Sequence, residues 1–211
     1  MIARPDTILR TQLEKRFAGW CLAHGADVDS AARLTEALCE RYEEPQRHYH
    51  HLGHIAGSLS ELDQHAPGDP LIEGAIWFHD VIYDPKRGDN EAASIAWFQE
   101  KTRGWLDPVS SLEICRLIEA TDFRTTPDET PKVALMIDID LAILSETAAE
   151  YDAYARAIHL EYAHVPEEDF RKGRAKVMEH FLSRPIYRTA GFLPREERAR
   201  KNIKRELVRL A

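Results

Sequence analysis

The chain predicts an all-α fold, an irregular bundle of about nine or ten helices, and three observations lead to it. Apolar residues recur at helical spacing along nearly all of the 211 residues. Strand-like alternation bounded by turns is scarce. Helix-start signals stand ahead of the apolar stripes, as in Asp107-Pro108 and Thr147-Ala-Ala-Glu150.

Taken in order, the first element carries Leu9, Leu13, Phe17 and Trp20 after Pro5-Asp6 and stops at Gly25. The second carries Ala31, Leu34, Leu38 and Tyr42 and ends before Pro45. A third, from Arg47 to about His65, is striped by Leu52, Ile55, Ala56, Leu59 and Leu62. Asp107-Pro108 opens a helix through Leu112, Cys115 and Ile118. Val133 to Leu144 reads as helix by its length, although its short apolar runs also suit a buried strand. Thr147 and Glu150 form a capping box ahead of Tyr151, Tyr154, Ile158 and Tyr162. Another helix follows Pro166, and the last begins near Pro194. Two polar loops, Tyr83 to Asn90 and Thr121 to Pro131, are of the kind that borders functional sites.

Length and composition limit the function classes. Hydrophobic residues at 44% and charged residues at 30% describe a folded chain, and the length suits one domain or one domain with a helical extension. With 28 Lys+Arg against 36 Asp+Glu and no long basic run, the clustered cations that a nucleic-acid polymer requires are missing. Cys21, Cys39 and Cys115 are too few and too scattered for a disulfide framework or a paired metal motif, and read as buried thiols. Met1-Ile-Ala-Arg-Pro-Asp6 lacks the apolar core of a signal peptide, and no stretch reaches the roughly 20 apolar residues of a membrane span. The expectation is a cytoplasmic protein without a membrane partner.

Three segments carry chemistry. Arg47, His50, His51 and His54 stand at i, i+3, i+4 and i+7, one face of the third helix, opposite its leucine stripe. A solvated polar face rich in histidine would give the same spacing. In Ala75-Ile-Trp-Phe-His79-Asp80-Val-Ile-Tyr83 an imidazole and a carboxylate interrupt an apolar run. An unpaired buried carboxylate costs several kcal/mol, so Asp80 needs a cation, a metal or strong donors. His79 and Asp80 satisfying each other near a helix end is the bland alternative. Asp138 and Asp140 repeat the problem, and residues two positions apart on a helix point about 200° apart, so one is a ligand and the other a structural group. Histidines and aspartates on three buried elements are explained together if they converge on one divalent cation.

These residues resemble the HD-domain superfamily of metal-dependent phosphohydrolases, whose pattern is His, then His-Asp, then a distant Asp. The matching stretches are Arg47-His-Tyr-His-His-Leu-Gly-His54, Ala75 to Asp84, Asp89-Asn-Glu91 and Asp138 to Leu144, with similarity continuing through Tyr162 into Glu197-Arg-Ala-Arg-Lys-Asn202. The resemblance implies a single domain over 1–211, with an HD core over about 30–160 and a C-terminal helical extension over about 161–211. It also implies a metal site made by His54, His79, Asp80 and Asp140. His50, one turn before His54, is the alternative first ligand, and Asp138 the alternative last one. Related sequences often carry a further histidine after the middle helix; Thr121-Asp-Phe-Arg124 has none, and none lies between His79 and His159, which suits one metal ion.

Two imidazoles and two carboxylates suit Mn²⁺, Fe²⁺, Co²⁺, Ni²⁺ or Zn²⁺ better than Mg²⁺. The implied reaction is hydrolysis of a phosphate ester, on a nucleotide or other small phosphorylated metabolite, by a metal-activated water. Asp80 and Glu91 are the candidate catalytic carboxylates, Glu91 as base or orienting group for that water. Arg47, Lys86 and Arg87 are the candidate phosphate-binding cations, although Lys86 and Arg87 also read as solvated loop residues and Glu91 as a helix-start residue. Two other readings remain open: a non-catalytic metal- or ligand-binding helical protein, and a helix-turn-helix regulator suggested by the basic stretch Arg195 to Arg209. Glu196, Glu197 and Glu206 within that stretch favour a solvated amphipathic helix.

Overall fold

The computed structural model describes residues 5–125 and 130–211. Among these residues the chain forms ten α-helices and no strand. The part of the Thr121–Pro131 loop that covers 126–129 lies outside the described residues.

Local chemistry sets most of the helix ends. Asp6 caps α1 (Thr7–Ala23) by accepting the N–H of Leu9, and Asp27 caps α2 (Val28–Tyr42) through Ser30. Between them Gly25 takes φ 103°, where a side chain would be strained and a Cβ would meet the Trp105 carbonyl oxygen at 2.8 Å. α3 spans Leu52–His65, and α4 (Pro70–Phe78) starts with Asp69 as cap and Pro at its first position. α5 (Asn90–Thr102) and α6 (Pro108–Glu119) follow, the latter capped by Asp107. α7 (Pro131–Asp140), capped by Thr130, tightens into a 3₁₀ turn over Leu141–Ser145, so the run around Asp138 and Asp140 is helical. The Thr147/Glu150 capping box opens α8 (Ala148–Glu161); α9 (Glu167–Leu182) and α10 (Glu196–Leu210) complete the chain.

One expected boundary is wrong by five residues. The helix predicted from Arg47 begins at Leu52, and residues 47–51 form a turn. The cause is distant in sequence: the Glu161 carboxylate accepts the backbone N–H groups of His48, Tyr49 and His50 at 2.8, 2.7 and 3.0 Å. A charged acceptor for three consecutive amides holds this stretch out of the helix. Arg47, His50, His51 and His54 therefore do not share a helical face; His51 instead caps α3, its ring Nδ1 accepting from Gly53.

α4 lies at the centre. From Ile72 to Phe78 every residue but Glu73 is buried, as a helix that is apolar on all sides requires. α1, α3, α5, α6 and α7 all pack against it. The aromatic cluster of Phe17, Trp20, Trp77 and Phe78 joins α1 to α4, with the Phe17 and Trp77 rings 5.1 Å apart. Gly74 permits the closest approach, since a Cβ there would meet Trp20 at 2.7 Å and Ile114 of α6 at 2.8 Å. α10 packs on the 3₁₀ turn, α8 and α9, and Asn202 donates to the carbonyls of Leu144 and Glu146.

Four arginines of the last segment are paired, Arg200 with Glu196 among them. Arg195 binds Glu61 and Glu146, and Arg205 and Arg209 bind Asp152. Cys21, Cys39 and Cys115 are buried, and burial pushes the thiols of Cys21 and Cys39 up to about 12 and about 11. Among the described residues no helix is long and apolar enough to cross a membrane.

Candidate metal centre

His79 is the residue at which α4 ends, immediately after the buried run, so its ring is delivered from the centre of the bundle. Its Nδ1 lies 3.0 Å from the Ile76 carbonyl oxygen, an acceptor, which puts the proton on Nδ1 and leaves Nε2 to face inward. His54, in the first turn of α3, brings its Nε2 to within 3.0 Å of the His79 Nε2. Asp140, the last residue of α7, places Oδ1 3.2 Å from His54 Nε2 and 3.5 Å from His79 Nε2. Asp80 adds Oδ2 at 3.1 Å from His79 Nε2 and 3.6 Å from His54 Nε2.

His54, His79 and Asp140 thus offer one ligand atom each within 4.8 Å of one another, a buried group able to hold a metal ion. Asp80 stands at its edge. The charge balance of the four residues fits a divalent cation: two neutral imidazoles and two carboxylates carry two negative charges in a place largely closed to water. The same charges act on one another. Burial opposes a charged His79, yet the charge of Asp80 and the hydrogen bonds of both aspartates push its pKa well up. Burial likewise opposes ionisation of Asp140, but the two histidines hold it down at about 2; His79 and His50 do the same for Asp80, further down. All three shifts point the same way, toward positive charge between the carboxylates.

The structure separates the alternative ligands. Asp138 points away from the cluster, fully buried, and accepts the N–H of Arg188 at 2.9 Å and the N–H and Oγ1–H of Thr189, both at 2.7 Å. It pins the chain after α9. His50 is also apart: its Nδ1 lies 2.7 Å from Glu161 Oε2, and its ring stacks on Tyr83 with centroids 3.9 Å apart. Against its burial, the charges of Glu161 and Asp80 push its pKa up.

A cavity of about 500 Å³ opens from the cluster between the Tyr83–Asn90 loop, the 3₁₀ turn, α8 and α9. Asp80, Asp140, His50 and Glu91 line one end of it. A second cavity, about 400 Å³, reaches Asp140 and His54 from the side of Glu61 and Glu146. No family model, curated protein or solved structure matches the chain. Any functional assignment therefore stands on the chemistry of these residues.

Three of the expected cations are not where a phosphate would meet them. Arg47 is fully buried, and its guanidinium donates to Glu44 and to the carbonyls of His50, Asp80 and Val81. It ties the turn of residues 47–51 to the end of α4, which corrects its expected role in substrate binding: its donors are spent on backbone carbonyls. Lys86 and Arg87 are exposed and do not line the cavity, and Arg87 forks onto Asp89 at 2.8 and 2.9 Å. Glu91 does line it, 3.3 Å from Arg124, its carboxyl pushed up mainly by burial.

Two residues of the site escaped the sequence reading. Glu161 and Arg174 are acid and base on apolar stripes, Glu161 in register with Tyr154 and Ile158 on α8 and Arg174 with Phe170 and Val177 on α9. The same signal, a charge inside an apolar pattern, had singled out Asp80.

Proposed function

We propose that the protein is a metal-dependent phosphohydrolase of the HD superfamily, acting on a small phosphate ester. The observation that carries this reading is the meeting of His54, His79, Asp80 and Asp140, from three helix ends, at one end of a cavity that also holds Glu91 and His50. A single divalent transition-metal ion held by those four residues would supply Lewis acidity, lowering the pKa of a water and drawing charge from the phosphoryl group.

The chain's own residues do the rest. Ile76 fixes the His79 ring so that Nε2 faces the site. Glu91, whose carboxyl is raised by burial and by the charges of Asp122 and Asp80, is suited to take the proton of the attacking water. His50, held by Glu161 and pushed toward its charged form, supplies the positive charge beside the phosphate that Arg47, Lys86 and Arg87 do not. Tyr83 donates to Glu161 and stacks on His50, fixing the ring at the mouth.

The test is a turnover screen of the purified protein over nucleotides and phosphomonoesters with Mn²⁺, Co²⁺, Ni²⁺ or Zn²⁺. Metal-dependent hydrolysis that Asp80→Asn abolishes is expected. Glu91→Gln is expected to keep its metal while kcat falls by about 10²-fold or more, the usual contribution of a general base. Full metal occupancy without turnover of any ester would leave the cluster as a staple between helices, and near-normal turnover of the variant would remove Glu91 from the mechanism.

A further inference from the structure

Much of the wall of the large cavity is a different kind of surface from the metal cluster. Tyr154 and Ile158 of α8 and Phe170, Val177 and Phe181 of α9 line it. Its charged groups offer an anion little. Arg174, the one arginine among its lining residues, is mostly buried, forks onto Glu206 at 2.8 and 3.3 Å and lies over the Tyr154 ring. Its charge is already matched. Asp169 and Glu91, which also line the cavity, are acidic.

From this distribution we infer that the substrate is a phosphate monoester whose alcohol is a bulky apolar or aromatic body, seated between α8 and α9 with its phosphate at His50, Asp80 and Asp140. The inference rests on the phosphohydrolase reading for the position of the phosphate. A second or third phosphate would add negative charge to a cavity that already holds Asp169 and Glu91 and whose arginine is paired with Glu206, and each charge moved out of water there is costly. Sugar hydroxyls would exchange water for aromatic and aliphatic wall. A hydrocarbon or aromatic body gives up no hydrogen bonds and gains from leaving water, in proportion to the area covered. The volume, about 500 Å³, lies in the range of pockets that enclose an organic ligand, and far exceeds what a phosphate needs. In the reaction water forms a bond from its oxygen to phosphorus and loses a proton to Glu91. The phosphorus–oxygen bond to the body breaks with its electron pair on the departing oxygen, which takes up a proton to leave as the free alcohol beside inorganic phosphate.

Binding and turnover separate the two claims. Calorimetry on the zinc-loaded protein would compare 1-naphthylphosphonate, which cannot be hydrolysed, with methylphosphonate, AMP and ATP. Tighter binding of the naphthyl compound by about tenfold or more is expected, the contribution of roughly one apolar side chain's worth of covered surface. Val177→Asp, at a half-exposed wall position where folding is little at risk, should remove that preference and leave metal content and methylphosphonate affinity as they were. Equal affinity for the naphthyl and methyl compounds, tightest binding of ATP or AMP, or an unchanged preference in the variant would each overturn the inference. If the naphthyl preference is found but 1-naphthyl phosphate is not hydrolysed with any metal, the ligand class stands and the hydrolase reading falls.

Discussion

Along the last turns of α7, Asp138 accepts the amides of Arg188 and Thr189 while Asp140, two residues on, turns to His54 and His79. The two substitutions to Asn should therefore part company. Asp140→Asn is expected to lose the metal; Asp138→Asn should keep it and lower stability by ~1–3 kcal/mol, the cost of weakening buried hydrogen bonds. Metal analysis and denaturant titration of both variants check this, and metal loss confined to Asp138→Asn would reverse the assignment. The geometric half of that distinction was legible, because a helix cannot turn both carboxylates to one place. Glu161 was not, because its partners are more than a hundred residues away. Burial raises its pKa, but the charge and hydrogen bond of His50 and the N–H groups of Tyr49 and His50 outweigh it and hold the carboxyl down at about 2 against an ordinary 4.5. With the folded value below the unfolded one, the stabilisation is whole above about pH 4.5 and is lost as pH falls toward about 2. Glu161→Gln should thus be less stable than the parent by ~3 kcal/mol near neutral pH, with the gap closing in acid. Denaturant titrations across that pH range measure the gap, and a gap that stays constant would show that the caged charge does not supply it.

Helix boundaries were readable wherever the capping residue is a local one. Asp6, Asp107 and the Thr147/Glu150 box each act within three residues of the helix they start. Arg47 to His51 defeated the same reading because the competing acceptor belongs to α8. Packing between helices was less legible still: nothing local distinguishes Gly74 from Gly19, and only the neighbours brought by α1 and α6 do. At Gly74 an added methyl meets Trp20 and Ile114 below 3 Å, whereas at Gly19 it meets nothing within 4 Å. Overpacking at ~1–3 kcal/mol exceeds the gain of up to ~1 kcal/mol from replacing glycine in a helix. Gly74→Ala should lower the melting temperature by several degrees, on the scale of ~2–4 °C per kcal/mol, while Gly19→Ala raises it slightly. Thermal melts of the pair decide it, and since α4 carries His79, a loss of metal in Gly74→Ala would extend the effect to the site. A Gly74→Ala protein as stable as the parent would mean that the bundle around α4 yields more easily than its close contacts imply.

At the scale of the whole molecule, three helix ends far apart in sequence bring His54, His79, Asp80 and Asp140 to one point, and each delivery has its own support. Ile76 orients His79, Arg47 ties the chain beyond Asp80 to the turn before α3, and α10 clamps the 3₁₀ turn that follows Asp140. These four residues were legible because each is a charged or imidazole group set beside apolar sequence. The cavity was not, because its walls come from α8 and α9, whose aromatic stripes look in sequence like ordinary core. A divalent cation held there would balance the charges of Asp80 and Asp140, and its binding free energy would add to the stability of the fold. The most direct measurement is elemental analysis of the purified chain beside Asp140→Asn, with melting curves before and after addition of Mn²⁺, Ni²⁺ or Zn²⁺. The account predicts about one divalent transition-metal ion per chain in the parent, a melting temperature that rises on metal addition to the stripped protein, and neither in the variant. A parent chain free of metal whose melting temperature does not respond to any of the three ions, or a variant that binds as much metal as the parent, would contradict it.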